Sequence, residues 1–187
     1  MSKFEFVFSL FGLLLGLGLA EVLAGFGNTI QERHRVKVGW LTPLLGLVVA
    51  LDLTSFWMVA WEVRDLVPAS YLTLLVGLLL CGTYYLIARI VFPRDHAEWP
   101  DFDSYYFRHK KWVIGGVMLC NAAALIAAAA LGAAPLHSWV DKLVFVVFYP
   151  TCAAVFLARG RKLNIALLTV IALQYLVFPL LSVLSAR

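Results

Sequence analysis

Long apolar runs separated by short polar segments make up most of the chain. A helix needs about 20 apolar residues to cross the hydrocarbon core of a bilayer. Six runs reach that length: residues 6–26, 38–61, 66–88, 112–135, 139–158 and 163–186. A membrane β-barrel would instead show alternating segments of about ten residues. The pattern therefore predicts an all-α polytopic membrane protein, with six transmembrane helices forming a single transmembrane domain over residues 1–187.

One connection is longer than the others, "FPRDHAEWPDFDSYYFRHKKW" at residues 92–112. Its polar residues and two prolines exclude a membrane span, and it is too aromatic for a disordered linker. We predict an interfacial loop, with a short helix over residues 101–110 at headgroup level. The side chains predicted to contact headgroups or a partner protein are Trp99, Asp101, Asp103, Tyr105, Tyr106, Arg108, Lys110 and Lys111.

This loop divides the chain into two halves of three helices each. Because each half has an odd number of helices, an inverted 3+3 repeat is topologically allowed. The sequence itself shows only a thin resemblance between residues 84–93 and 173–181. The 3+3 organisation is therefore an expectation from topology.

Composition supports the membrane prediction. The chain is 63% hydrophobic and 14% charged, whereas ordinary globular proteins carry about 25% charged residues. The net charge of +4 comes from basic residues at the helix ends. This placement predicts contact with anionic lipid headgroups and argues against a nucleic-acid partner.

The distribution of Lys and Arg predicts the orientation. Eleven lie in the loops after the first, third and fifth helices, and four lie on the other side. Positive residues favour the cytoplasmic side. We therefore predict cytoplasmic positions for those three loops, with both termini outside. In a bacterial inner (cytoplasmic) membrane the N- and C-termini would be periplasmic.

Small residues recur in the first helix at four-residue spacing, at Gly12, Gly16, Ala20 and Ala24. Such a face lets two helix backbones approach closely in lipid. The fourth predicted helix is rich in alanine over residues 121–134. These surfaces predict close packing within the bundle or at the seam of a homo-oligomer.

The least expected residue is Asp52, which lies twelve positions after Trp40 and nine before Trp61. An ionisable side chain at the bilayer centre costs roughly 2.5–3.5 kcal/mol on insertion scales, so it usually faces a bundle interior or water. No Lys, Arg or His is predicted at its depth. The polar residues predicted near that depth on the same or other helices are Thr54, Ser55, Asn121 and Gln174.

Two interpretations of Asp52 remain open. It can be the protonatable or cation-binding group of a pathway for a small ion or solute, together with those four residues. Alternatively, a neutral Asp52 can bind Asn121 or Gln174 and simply hold helices together. Nearer the predicted cytoplasmic side, Glu21 and Arg89 lie at similar depth and can pair, either as a structural ion pair or as a gate.

Candidate chemistry outside the membrane is limited. His96, Glu98, Asp101, Asp103 and His109, with the basic residues Arg108, Lys110 and Lys111, could bind a metal and a phosphate. This pattern would suit an enzyme acting on lipid headgroups. However, the Asp-x-Asp pair stands without a second motif, so we assign neither catalytic residues nor a metal.

No cofactor is predicted. The four histidines, including His34 and His137, lie in loops or at helix ends, which disfavours a haem between helices. Nucleotide-binding and zinc-protease motifs are absent from the sequence. The three cysteines, Cys81, Cys120 and Cys152, lie in apolar runs without metal-ligand spacing, so we expect them to pack as small helix residues.

Three function classes follow. The leading hypothesis is an oligomeric channel or transporter for a small ion or solute, with Asp52 as its midplane protonatable group. The alternative is a non-catalytic membrane subunit or scaffold that acts through residues 92–112. The third is the headgroup enzyme.

Overall fold

A computed structural model describes residues 2–95, 98–99, 101–134 and 138–185. The prediction of an all-α protein is confirmed, since the described residues contain six helices and no β-strand beyond an isolated bridge between Lys37 and Asp101. The helices are α1 Lys3–Glu32, α2 Leu41–Glu62, α3 Tyr71–Val91, α4 Phe102–Ala130, α5 Trp139–Leu157 and α6 Arg161–Ser185. The predicted helix ends at 135 and 186 lie outside the described residues.

Five helices, all except α5, are long and apolar enough to cross a membrane within the described part of the chain. These helices are thus compatible with an integral membrane protein. The remaining helix, α5, has 19 residues. Its role as a sixth span stays a prediction.

The largest difference from the predicted elements concerns residues 92–112. Helix α4 begins at Phe102 and runs for 29 residues without interruption, so residues 102–112 are helical and are not part of a loop. The predicted separate helix over residues 101–110 is the start of α4. The side chain of Asp101 caps this helix by accepting a hydrogen bond of 2.6 Å from the backbone N–H of Ser104, which satisfies one of the free donors of the first turn.

Serine residues cap three other helices in the same way. Ser2 and Ser138 form capping boxes with Glu5 and Asp141, and the side chain of Ser70 accepts from the backbone N–H of Thr73. These caps explain why α1, α3 and α5 begin where they do.

Helix α2 is central, because it packs against α1, α3, α4 and α6. Close approach near its start depends on glycine. A Cβ added to Gly25 of α1 or to Gly46 of α2 would overlap the ring of Phe92, which is 7% exposed. The ring of Phe92 thus occupies the space that is left free because Gly25 and Gly46 have no side chains.

The predicted small face of α1 has a different environment. Ala20 and Ala24 are exposed, and a Cβ added to Gly16 would meet no atom within 4 Å. The helix instead buries Leu15, Val22 and Gly25 against its neighbours. The expected close packing inside the bundle therefore does not involve this face.

Burial is uneven along the bundle. We call the "basic end" the end that holds Arg33, Arg35, Arg108, Arg159 and Arg161. Nearly all buried side chains of α2 to α6 lie between that end and the level of Asp52.

Beyond that level the core thins. Among the described side chains, α2 has no buried residue after Phe56, and α3 has none before Gly77. Likewise α5 has none before Phe148 and α6 has none after Gln174. Among the described side chains beyond that level, only a few are buried, including Val7 of α1 and Ala128 of α4. The described part of the bundle is therefore packed more tightly from the basic end to the Asp52 level than beyond it.

Candidate functional site around Asp52

Asp52 is fully buried, with 0% of its surface exposed. Its carboxylate accepts hydrogen bonds from three other helices. The hydroxyl of Tyr84 on α3 donates to Oδ2 at 2.7 Å, and the hydroxyl of Tyr175 on α6 donates to Oδ1 at 2.5 Å. The amide of Asn121 on α4 lies 3.0 Å from Oδ1 and 3.3 Å from Oδ2. The carboxylate thus joins α2 to α3, α4 and α6.

Two of the three donors also contact each other. The amide nitrogen of Asn121 lies 3.1 Å from the hydroxyl of Tyr84 and 3.0 Å from the backbone carbonyl of Val117. The ring of Phe56 packs edge-on against Tyr84, with ring centroids 4.6 Å apart. Phe56 is also the last buried residue of α2 among the described side chains, so its ring lies at the boundary with the loosely packed half.

All described partners of the carboxylate are neutral. None of the ion pairs found in the described residues involves Asp52. A carboxyl group in this environment can exist as an anion stabilised by three donors or as a neutral acid that retains part of the same network. The site is therefore chemically suited to holding one proton.

The predicted polar neighbours of Asp52 divide into two groups. The contact with Asn121 is present, as described above. The hydroxyl of Thr54 donates to the backbone carbonyl of Ala50 and is exposed, and the hydroxyl of Ser55 donates to the backbone carbonyl of Asp52. Neither hydroxyl touches the carboxylate.

Gln174 also lies apart from the carboxylate. It is 7% exposed, and both amide atoms lack a hydrogen-bond partner within the described part of the chain. An unpaired amide in an apolar environment costs roughly 2–7 kcal/mol. Of the two adjacent residues on α6, Tyr175 reaches Asp52 and Gln174 does not.

Sequence reasoning missed Tyr84 and Tyr175. Tyrosine is apolar enough to be read as part of a span and is common at membrane interfaces. A signal was present for Tyr175, because a polar hydroxyl deep in the last apolar run needs a partner when it is buried.

The predicted pair of Glu21 and Arg89 is present. The Nε atom of Arg89 lies 3.9 Å from Oε1 of Glu21, and both side chains are about one third exposed. The hydroxyl of Tyr85 bridges them, lying 2.8 Å from Nη1 of Arg89 and 3.5 Å from Glu21. The pair links α1 to α3.

The residues predicted to contact headgroups or a partner have mixed exposure. Tyr105, Tyr106 and Lys110 are buried within the fold and cannot present their side chains to a partner. Trp99 is half-buried against the rings of Tyr105 and His109. Among the predicted basic contacts, Arg108 and Lys111 are exposed.

Lys110 holds the end of α5. It is 3% exposed, and its Nζ atom donates to the backbone carbonyls of Val155 and Ala158 and to Oδ1 of Asn164. The hydroxyl of Tyr106 donates to the same Oδ1 at 2.7 Å. A cation is favourable at a helix C-terminus, where the last carbonyls lack partners, so Lys110 fastens α5 and α6 to α4.

The two acids considered for metal binding have structural partners. Asp101 caps α4, as described above. Oδ1 of Asp103 accepts from the backbone N–H of Leu41 at 3.4 Å, and Oδ2 pairs with Arg161 at 2.8 Å. Among the described residues, no group of three His, Cys, Asp or Glu could hold a metal. His96 and His137 lie outside the described residues.

The three cysteines are free and buried, which agrees with their expected role as small packing residues. Comparison with protein families, with curated proteins and with solved structures finds no match to this chain.

Proposed function

We propose that the protein moves protons across a membrane, alone or coupled to a small ion or solute, and that Asp52 is the group that takes up and releases the proton. One observation carries the proposal. A fully buried carboxyl group in an apolar bundle has only neutral hydrogen-bond partners among the described residues. Intramembrane ionisable residues of this kind commonly mark ion and proton pathways.

Two further observations support a pathway. The bundle is loosely packed on the side of Asp52 away from the basic end, so access from that side crosses few packed layers. In addition, the unpaired amide of Gln174 would be stabilised by a polar partner close to the level of Tyr175. Water is the simplest such partner, since buried waters commonly satisfy otherwise unpaired polar groups.

On this proposal, the continuous core between Asp52 and the basic end is the closed state of the pathway. From Asp52 to the basic end the core is continuous, and the helix ends are joined by Lys110, by the pair of Asp103 and Arg161, and by Tyr105, which donates to the carbonyl of Ile90. Proton release toward the basic end then requires these contacts to open. The orientation of that end toward the cytoplasm, the bacterial inner membrane and the homo-oligomeric state remain parts of the proposal.

The scaffold and enzyme alternatives have less support. Three of the side chains that a partner would need are buried in the fold, and both candidate acids are engaged in caps and an ion pair. The strongest competing role is purely structural. In that role the cluster around Asp52 only holds four helices together.

Reconstituted vesicles distinguish the two roles. Proton flux under an imposed membrane potential is measured with a pH-sensitive dye inside the vesicles, for wild type, Asp52→Asn and Thr54→Val. We expect flux in the wild type and in Thr54→Val, whose hydroxyl bonds only to its own helix. We expect none in Asp52→Asn, which preserves shape and can still accept hydrogen bonds but cannot exchange a proton.

Either of two results would overturn the proposal. One is a correctly folded Asp52→Asn with wild-type flux, which would make the cluster structural. The other is a wild-type protein whose flux equals that of protein-free vesicles, both without an added solute and with each candidate ion or solute supplied.

A further inference from the structure

A cavity of about 250 Å³ opens at the basic end between α4 and the end of α5. Three basic side chains line it: Lys110, Lys111 and Arg159. No Asp or Glu is among the residues that line it. The charge of this lining therefore favours an anion over a cation.

Two of these cations are free to bind a ligand. Lys110 is committed to the end of α5, as described above, but Lys111 and Arg159 are exposed. Neither forms one of the ion pairs found in the described residues. The Nζ atom of Lys111 lies 5.2 Å from the ring centre of Phe156, a cation–π contact that holds the ammonium group at the cavity wall.

The rest of the wall is apolar. Phe107 and Phe156 line the cavity, and Leu157 at its edge is 74% exposed. The next residue after Lys111 on α4 is Trp112, which is 75% exposed. Tryptophan is enriched at the membrane–water interface, which favours headgroup depth for the cavity. Its volume suits a headgroup and not a whole lipid, since pockets for drug-sized ligands span roughly 300–1,000 Å³.

We propose that this cavity binds the phosphodiester headgroup of an anionic phospholipid. Lys111 and Arg159 contact the phosphate, Lys110 adds positive potential from behind, and the acyl chains leave along Leu157. Basic pockets between transmembrane helices bind anionic headgroups in this way. The apolar wall and the interfacial depth favour a lipid over free phosphate. The inference does not depend on the proposed transport.

Native mass spectrometry of the full-length protein tests the site. The protein is released from bilayers containing phosphatidylcholine and phosphatidylglycerol, and the lipid that stays bound is identified. We expect wild type to retain phosphatidylglycerol. The double variant Lys111→Gln/Arg159→Gln should bind it about 30-fold more weakly, from the loss of two basic side chains at a membrane surface.

The matched control is Arg94→Gln/Lys162→Gln. It removes two exposed charges that do not line the cavity and should retain phosphatidylglycerol as the wild type does. Unfolding temperatures in phosphatidylcholine alone should agree for all three proteins, which excludes misfolding as the cause of a loss.

Three results would overturn the site. They are equal retention of phosphatidylglycerol by both double variants, retention of phosphatidylcholine as strong as that of phosphatidylglycerol, and a rise in unfolding temperature with inorganic phosphate equal to that with phosphatidylglycerol. The last would assign the cavity to a free anion.

Discussion

The hydroxyl of Tyr175 donates a hydrogen bond of 2.5 Å to Oδ1 of Asp52, across 123 positions of the chain. This bond ties the last helix to the central one. Tyr175→Phe removes the donor and keeps the ring, so we expect a stability loss of about 1 kcal/mol, typical of a hydrogen bond between transmembrane helices. The measurement is thermal unfolding in detergent. Tyr71→Phe is the control, because Tyr71 is 81% exposed, and equal unfolding temperatures for the two variants would contradict the expectation.

The stability of Asp52 variants should depend on whether the new side chain offers an acceptor to the three hydrogen-bond donors. Asp52→Asn keeps an oxygen acceptor, whereas Asp52→Leu leaves Tyr84, Tyr175 and Asn121 with no acceptor at that position. Each buried donor left unsatisfied costs about 1–3 kcal/mol. We therefore expect the Leu variant to unfold at a clearly lower temperature than the Asn variant. A Leu variant as stable as the Asn variant would show that the donors easily find other acceptors.

Phe56 should limit access to Asp52, since its ring packs on Tyr84 at the edge of the tightly packed half. On the proposed function, Phe56→Ala should increase proton flux in vesicles, and Met58→Ala, at a position 61% exposed, should not. The double variant Asp52→Asn/Phe56→Ala identifies the route. Its flux should fall to the level of Asp52→Asn, and a flux that stays high would show a leak that bypasses the carboxylate.

Gly25 and Gly27, both in α1, should respond oppositely to alanine. A Cβ on Gly25 would overlap the buried ring of Phe92, which also lies against Phe26 and Gly46 and has little room to move. Overpacking of this kind costs typically 1–3 kcal/mol. A Cβ on Gly27 meets nothing within 4 Å, so Gly27→Ala should gain about 0.5–1 kcal/mol from helix propensity. The unfolding temperature should fall in the Gly25 variant and rise in the Gly27 variant. A change in the same direction in both variants would contradict the prediction.

Lys110 and Lys111 should also differ. Lys110→Met removes a buried ammonium group from the carbonyls of Val155 and Ala158, and we expect a loss of about 1.5–3 kcal/mol, typical of hydrogen bonds to charged groups. Lys111→Met, at an exposed position, should change stability little in detergent free of anionic lipid. Thermal unfolding compares them. Equal stability would mean that α5 needs no anchor from α4.

The helices could be predicted from the sequence because a helix that crosses lipid is apolar along its length, so the apolar run marks its extent. The start of α4 could not be read this way, since it is polar and aromatic. A second period was nonetheless present: Phe102, Tyr106, Lys110 and Ile114 recur every four residues, and all four are buried. The charge of Lys110 predicted a surface position, whereas the four-residue period indicates a position in the core.

The site was only partly predictable for a related reason. The depth of a residue along a helix can be counted from the sequence, and this count predicted that Asp52 and Asn121 lie at the same level. The rotation of each helix about its axis cannot be counted. The sequence therefore could not show which of the adjacent residues Gln174 and Tyr175 faces Asp52. Thr54 follows Asp52 by two positions and therefore lies on a different face of α2.

The chain separation within the Asp52 cluster has a consequence for how the protein is made. Tyr84 follows Asp52 by 32 residues and Tyr175 by 123. At synthesis rates of roughly 5–20 residues per second, the last donor emerges from the ribosome roughly 6–25 s after the carboxyl group. If α2 spans a membrane, it is available for insertion during that interval with an incomplete set of partners. We then expect α2 to insert with Asp52 as a neutral acid, or to stay at the bilayer surface until the later helices arrive.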